Sequence, residues 1–129
     1  MTANFWRKWP GLPWRLGADP RDGRAACCFR TAQAVREELG LPWPAERMEP
    51  WYRDAARGHW RELHEDWAEL TEPIEQPEAG ALIRFDRGDA TFGIGVLPDE
   101  RTLITVRHYG RLIVGPLAAC GKMNLYRLQ

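Results

Sequence analysis

The spacing of hydrophobic and polar residues divides the chain into a helical part and a later, strand-rich part. In CCFRTAQAVREELG the apolar residues recur at three- and four-residue spacing, which predicts an amphipathic helix that begins near residue 26. Gly40, with Pro42 just beyond it, supplies the stop signals of a helix end. The predicted apolar face holds Cys28, Ala32, Val35 and Leu39.

A second helical stretch is predicted within residues 47–70. Its apolar positions recur at helical spacing, and they are Trp60, Leu63, Trp67 and Leu70. The segment that follows, TEPIEQPEAG, contains two prolines and is predicted to be a loop over residues 71–79.

After Gly80 the apolar period becomes that of β-strands. Turn residues separate the segments ALIRF, ATFGIGVL, TLITVRHY, RLIVGPL and MNLYRL. They predict a β-meander of about five strands over residues 80–129. Because the helices precede the strands, we expect an α+β fold in which N-terminal helices pack on a C-terminal antiparallel sheet.

Length and composition predict a single domain over residues 1–129, since 44% of the residues are hydrophobic and can form a core. Residues 1–25 are rich in Pro, Gly and Trp and are predicted to form an extended arm before a helical part at 26–70. A Pro/Gly-rich stretch cannot bury three indoles by itself. We therefore expect Trp6, Trp9 and Trp14 to contact other subunits or to pack across the sheet.

The formal net charge is zero, from 18 basic and 18 acidic residues, so no overall field attracts nucleic acid or an anionic membrane. No apolar run approaches the roughly 20 residues that a bilayer span needs. The N-terminus lacks the apolar centre of a secretory signal. We expect a protein made in a cytoplasm, with no nucleic-acid partner and no membrane span, that recognises partners by shape and local chemistry.

Cys27 and Cys28 lie at the predicted start of the first helix. A helix N-terminus stabilises a thiolate, so either residue could be a nucleophile, but a free cysteine also serves as a small buried apolar residue. We predict that Cys28 is buried on the apolar face and that Cys27 lies to one side. Cys120 is interpreted as structural or incidental, and the odd number of cysteines argues against a disulfide framework.

The chain resembles a known family in the order of several motifs. GLPWRLGADPRDGRAACCFRTAQAVREELGLPWP is similar to the opening of the NlpC-type cell-wall cysteine peptidases, in which a G-hydrophobic-P-aromatic motif precedes a helix-borne cysteine and an L-G-I-x-L-P motif. PEAGALIRF is similar to the family's P-x-x-G-D-L-[IV]-x-F, and TFGIGVLPDERTLIT to its H-V-G-I-Y-L, turn and L-H-A. The resemblance covers residues 10–117 and implies a papain-like fold.

The resemblance implies a catalytic cysteine at Cys28 or Cys27, but the other catalytic positions depart from the family. The family's histidine maps to Thr91, and the polar residue that orients it maps to Thr105. Two family aspartates map to Ala26 (or to Cys27, if Cys28 is the nucleophile) and to Ala81. A threonine has no titratable group near neutral pH and cannot replace an imidazole.

The chain has three histidines, and none of them aligns with the catalytic histidine of the family. His108 lies on the strand after Thr91 and is either a relocated catalytic base or an ordinary polar residue at a strand end. His59 and His64 are five residues apart, so they are not a metal-binding pair, and we interpret both as exposed helix positions. We expect no metal and no cofactor.

Three functions are compatible with the sequence. The resemblance implies either a catalytically degenerate module in a bacteriophage tail tip or baseplate, or an active peptidase or amidase that cleaves peptidoglycan peptides. A third hypothesis is a groove that binds peptide or glycan without cleavage. Because several catalytic positions are lost together, we favour the first, with other tail hub and tip subunits as partners, peptidoglycan as an alternative partner, and a mature location in the virion tail.

Overall fold

The computed structural model describes residues 5–44, 46, 57–86, 91–107, 109–120 and 124–129. His108, the side chain of Cys120 and the first ten residues of the predicted second helix lie outside them. In these described ranges, the helices α1 (Cys28–Glu38) and α2 (Trp60–Leu70) precede the sheet. The strands are β1 (Thr71–Ile74), β2 (Leu82–Asp86), β3 (Phe92–Val96), β4 (Thr102–Val106), β5 (Leu112–Pro116) and β6 (Leu125–Leu128).

The fold is α+β, as predicted, with an antiparallel sheet of six strands in the order β1-β6-β2-β3-β4-β5. The predicted meander is correct for β2 to β5, but β6 returns to pair with β2. Within the described ranges, neither helix is long and apolar enough to cross a membrane.

The prediction of a loop over residues 71–79 is wrong for its first four residues, which form β1. This strand lies at the edge of the sheet and pairs only with β6, from Thr71 opposite Leu128 to Ile74 opposite Leu125. An edge strand tolerates Pro73, because the missing N–H is not needed by a second neighbour. Proline therefore marked an edge here and not a loop.

The two faces of the sheet carry separate apolar clusters. The helix-side cluster joins α1 and α2 to residues of five strands, among them Leu82, Phe92, Ile94, Val96, Ile104, Val106 and Leu112. The opposite-face cluster is smaller and consists of Ala81, Ile83, Leu97, Leu103, Leu117 and Leu125, with Ile74 against it. Alternation of side chains along β2, β3 and β4 explains the division.

Helix α1 packs on β3 and β4 and is tied to the sheet at its C-terminal end. Its buried side includes Ala32, Ala34 and Val35, whose small side chains allow close approach. The buried Arg36 donates from Nε to the carbonyl of Pro42 (3.0 Å) and from Nη1 to that of Gly80 (2.8 Å). Gly40 follows the helix with φ 74°, which confirms the predicted stop.

The N-terminal arm, residues 5–25, lies along the free edge of the sheet and then crosses to α1. Gly11 N donates to Leu112 O (2.9 Å), and Leu112 N donates to Leu12 O (2.8 Å). Trp9 is buried in the helix-side cluster, while Trp6 and Trp14 pack against it and remain half-buried. Packing of these indoles on the sheet, one of the two expected alternatives, is therefore observed, and contact with other subunits stays a prediction.

Candidate functional site at the start of helix α1

Cys27 is the cap of α1 and not a member of the helix. Its extended backbone (φ −126°, ψ 158°) turns Sγ back over the first turn, where it accepts a hydrogen bond from Arg30 N at 3.5 Å. The backbone N–H of Cys27 donates to Ala18 O at 3.0 Å, which fixes the cap to the arm. The residue is 2% exposed and belongs to the helix-side cluster.

Two opposing effects act on the Cys27 thiol. Burial raises its pKa above the ordinary value near 9, because the apolar surroundings disfavour the charged thiolate. Hydrogen bonds from the backbone N–H groups of Arg30, Gly17 and Phe29 favour the thiolate but are smaller in sum. The Cys27 sulfur lies where a helix N-terminus can stabilise a thiolate. Because burial outweighs that effect, the thiol stays protonated at neutral pH.

Cys28 is the first residue of α1 and is half-buried against the helix-side cluster. The prediction that Cys28 is buried and that Cys27 lies to one side is wrong. Helical periodicity applies only from Cys28 onward, whereas the extended Cys27 directs its side chain independently of the helix. Of the two thiols, Cys28 is the one that solvent reaches.

The two threonines that the resemblance aligns with catalytic residues lie before β3 and on β4. Thr91 is half-buried directly before β3. Thr105 donates from Oγ1 to Ile94 O at 3.0 Å. Its neighbours Ile104 and Val106 belong to the helix-side cluster, so alternation places Thr105 on the opposite face, away from α1. Its hydroxyl is engaged with backbone and is separated from Cys27 by the sheet.

The two alanines that the resemblance aligns with aspartates lie in apolar surroundings. Ala26 and Ala81 are both buried, at 0% and 1% exposure, and each is part of a separate core cluster or borders one. A carboxylate at either position would lose its hydration without an evident gain. Neither alanine side chain supplies a polar group near Cys27.

His64 is a residue whose position the sequence analysis missed. Its ring packs edge-on against Phe92, with centroids 4.9 Å apart, and it is half-buried where an exposed position was expected. Helical spacing could have shown this, because His64 is four residues after Trp60 and three before Trp67. Through its contact with Phe92, His64 lies next to the start of β3. His59 is exposed, as predicted.

A charged cluster lies beside His64 on the same face of the sheet. Arg84 Nε is 3.0 Å from Asp86 Oδ1. The guanidinium carbon of Arg84 lies 5.2 to 5.9 Å from the ring centroids of Phe92, Trp67 and Tyr126. A guanidinium cannot accept a proton at physiological pH. The guanidinium of Arg84 consequently stabilises packing between α2 and the sheet and cannot itself act as a general base.

In the described part of the chain, no three His, Cys, Asp or Glu side chains come together as a metal site. Comparison of the sequence with protein-family models and with curated proteins finds no match.

Proposed function

We propose that this chain is a structural or assembly component of a bacteriophage tail tip or baseplate, built on a papain-like, NlpC-like domain that has lost catalysis. The ordered motifs over residues 10–117 support the family assignment, and the α+β architecture with a cysteine at the start of α1 is compatible with it. The phage location and the hub and tip partners rest on the resemblance alone.

The observation that carries the non-catalytic part is the burial of the Cys27 thiol. A cysteine hydrolase needs a thiolate that substrate can reach and a base that returns a proton to the leaving group. Cys27 is 2% exposed and its pKa is raised. The resemblance aligns Thr91 and Thr105 with the base and its partner, and neither side chain titrates near neutral pH.

One arrangement favours the alternative, an active peptidase or amidase. Cys28 is partly accessible at the first position of α1, and His64 lies beside the start of β3. A relocated dyad would use this thiol with either His64 or His108. The test is hydrolysis of purified muropeptides by the unmodified protein and by Cys27→Ala, Cys28→Ala, His64→Ala and His108→Ala variants.

We expect no turnover above the buffer rate in any of these proteins. General acid–base catalysis typically contributes about 10²–10⁴-fold, and the proposal requires this contribution to be absent. Turnover that is abolished both by one cysteine substitution and by one histidine substitution would establish a relocated dyad and would overturn the proposal.

The structural role has its own test in particles assembled from a complete phage genome that encodes the chain. Deleting the coding region should prevent infectious particles, whereas the Cys27→Ala/Cys28→Ala double variant should restore them. The chain should also be present in purified particles at a fixed ratio to the tail proteins. Its absence from purified particles, or normal infectivity after deletion, would contradict a structural role.

A further inference from the structure

A cleft of about 600 Å³ lies between the arm and the start of α1. Small residues of the arm form part of its lining, so that backbone as well as side chains is accessible within it. The charged and large side chains that line it are Arg15, Leu16, Asp19, Asp22, Arg24 and Arg30. Its volume is in the range of pockets that hold small organic ligands.

The charges in this cleft do not balance. The Asp19 carboxylate is held by Arg21, which lies outside the lining, donates to it from Nε (3.1 Å) and Nη2 (2.7 Å) and is shared with Glu37. Arg30 donates from Nη1 to the amide oxygen of Gln33 at 2.8 Å. The lining has three guanidinium groups and two carboxylates, those of Asp19 and Asp22, and therefore an excess of one positive charge.

Two of these guanidinium groups are available to a ligand. Among the residues that the structure describes, no carboxylate pairs with Arg15 or Arg24, and both residues are exposed. Guanidinium groups bind oxyanions through paired N–H donors, and hydrogen bonds between charged groups are stronger than those between neutral ones. The cleft thus has the donors of an oxyanion site.

Leu16 and Asp22, which also line the cleft, favour one kind of oxyanion over another. Leu16 is 42% exposed and offers an apolar contact that an inorganic ion cannot use. The carboxylate of Asp22 repels a doubly charged phosphate more strongly than a singly charged carboxylate. We propose that this cleft binds the free C-terminal carboxylate of a short peptide through Arg15 and Arg24, with an apolar side chain of the peptide against Leu16. The site is independent of catalysis and of the proposed virion location.

The test uses the ¹⁵N-labelled full chain and titration with N-acetyl-Leu-Ala-Ala, followed at the backbone amides of Gly17, Ala18 and Ala25. The same peptide with a C-terminal amide is the matched ligand, and inorganic phosphate is the third probe. We expect the free acid to bind at least about tenfold more tightly than the amide, since one charged hydrogen bond accounts for that ratio. Added salt should weaken the binding.

The variants test whether the arginines carry the interaction. Arg15→Gln/Arg24→Gln should weaken binding of the acid at least about tenfold, and an unchanged spectrum outside the cleft will show that this variant is folded. Arg61→Gln, an exposed arginine of α2 that pairs with Glu65, is the control and should bind normally. Equal binding of acid and amide, no shift at millimolar peptide, or no effect of the double substitution would overturn the proposal. Phosphate binding as tight as that of the peptide would mean an adventitious ion only and would also overturn it.

Discussion

Helices α1 and α2 and the arm pack on the helix-side face of the sheet. On the opposite face the described residues form a smaller cluster, and Phe85 and Ile113 are 36% and 44% exposed. Cys27 belongs to the helix-side face, and Thr105 belongs to the opposite face. Two positions that the family resemblance assigns to one active site are therefore separated by the sheet. The comparison shows that the Cys27 side chain is part of the core, so the accessibility of its thiol is the property that tests the proposed absence of catalysis.

The largest expected change in stability comes from comparing Phe92, on the helix-side face, with Phe85, on the opposite face. Phe92 is 1% exposed and packs edge-on against Trp60, His64 and Trp67. Phe92→Ala should lower the free energy of unfolding by about 3–5 kcal/mol, measured by urea denaturation. Phe85→Ala removes the same ring from the opposite face and should cost less than about 1.5 kcal/mol. Equal losses would contradict the difference between the faces.

The next largest change in stability is expected at Gly80, where α1 is joined to the sheet through Arg36. Gly80 has φ 86°, and a Cβ there would meet Leu41 Cδ1 and would lie 3.2 Å from Arg36 Nη1. Gly80→Ala should cost about 2–4 kcal/mol, from the positive φ and from overpacking. Gly11→Ala is the matched control, because Gly11 also has positive φ (90°) but open space around it. It should cost only about 1–2 kcal/mol.

We expect the stability of the protein to depend on pH through the Cys27 thiol. Burial raises its pKa in the folded state above the ordinary value near 9, so the folded protein retains the proton that the unfolded chain releases. This contribution to stability is complete below pH 9 and is lost as the pH rises above it. The loss should approach about 1.4 kcal/mol per pH unit.

Denaturation curves between pH 8 and pH 10.5 measure this loss, with Cys27→Ala as the reference for all other titrating groups. The difference between the two proteins should grow in favour of the variant above pH 9. A difference that stays constant over this range would show that the Cys27 pKa is not raised by folding.

The smallest effect concerns the hydroxyl of Thr105 on the opposite face. Thr105→Val keeps the shape of the side chain and removes the hydrogen bond to Ile94 O, which should cost about 0.5–1.5 kcal/mol. Thr105→Ser keeps the donor and should recover part of the loss. A Val variant as stable as the unmodified protein, measured by the same denaturation, would show that this hydroxyl contributes nothing to the sheet.

Hydrophobic periodicity predicted most of the helices and strands of this fold. It did not predict which way side chains point in the segments between them. It identified α1, the stop at Gly40, the buried face of α2 and the five strands β2 to β6. It missed β1, because Pro73 is a strand breaker everywhere except at an edge. Edge position is a property of the assembled sheet and is not visible in a local segment.

The candidate site was harder to predict for the same reason. Cys27 has an extended backbone just before α1, so no helical pattern determines where its side chain points. His64 differs, since its spacing from Trp60 and Trp67 does show the buried side of α2. The cleft beside Arg15 and Arg24 depends on how the arm folds back on α1, which no local pattern in the sequence specifies.

The most direct measurement of the central claim is the rate of thiol alkylation at each cysteine as a function of pH. A Cys28→Ser/Cys120→Ser variant isolates Cys27, and a Cys27→Ala/Cys120→Ser variant isolates Cys28. With iodoacetamide under native conditions, Cys27 should react far more slowly than in urea at every pH up to 9, while the partly exposed Cys28 reacts measurably. Rapid alkylation of Cys27 in the folded protein, with a thiol pKa below 7, would contradict the account.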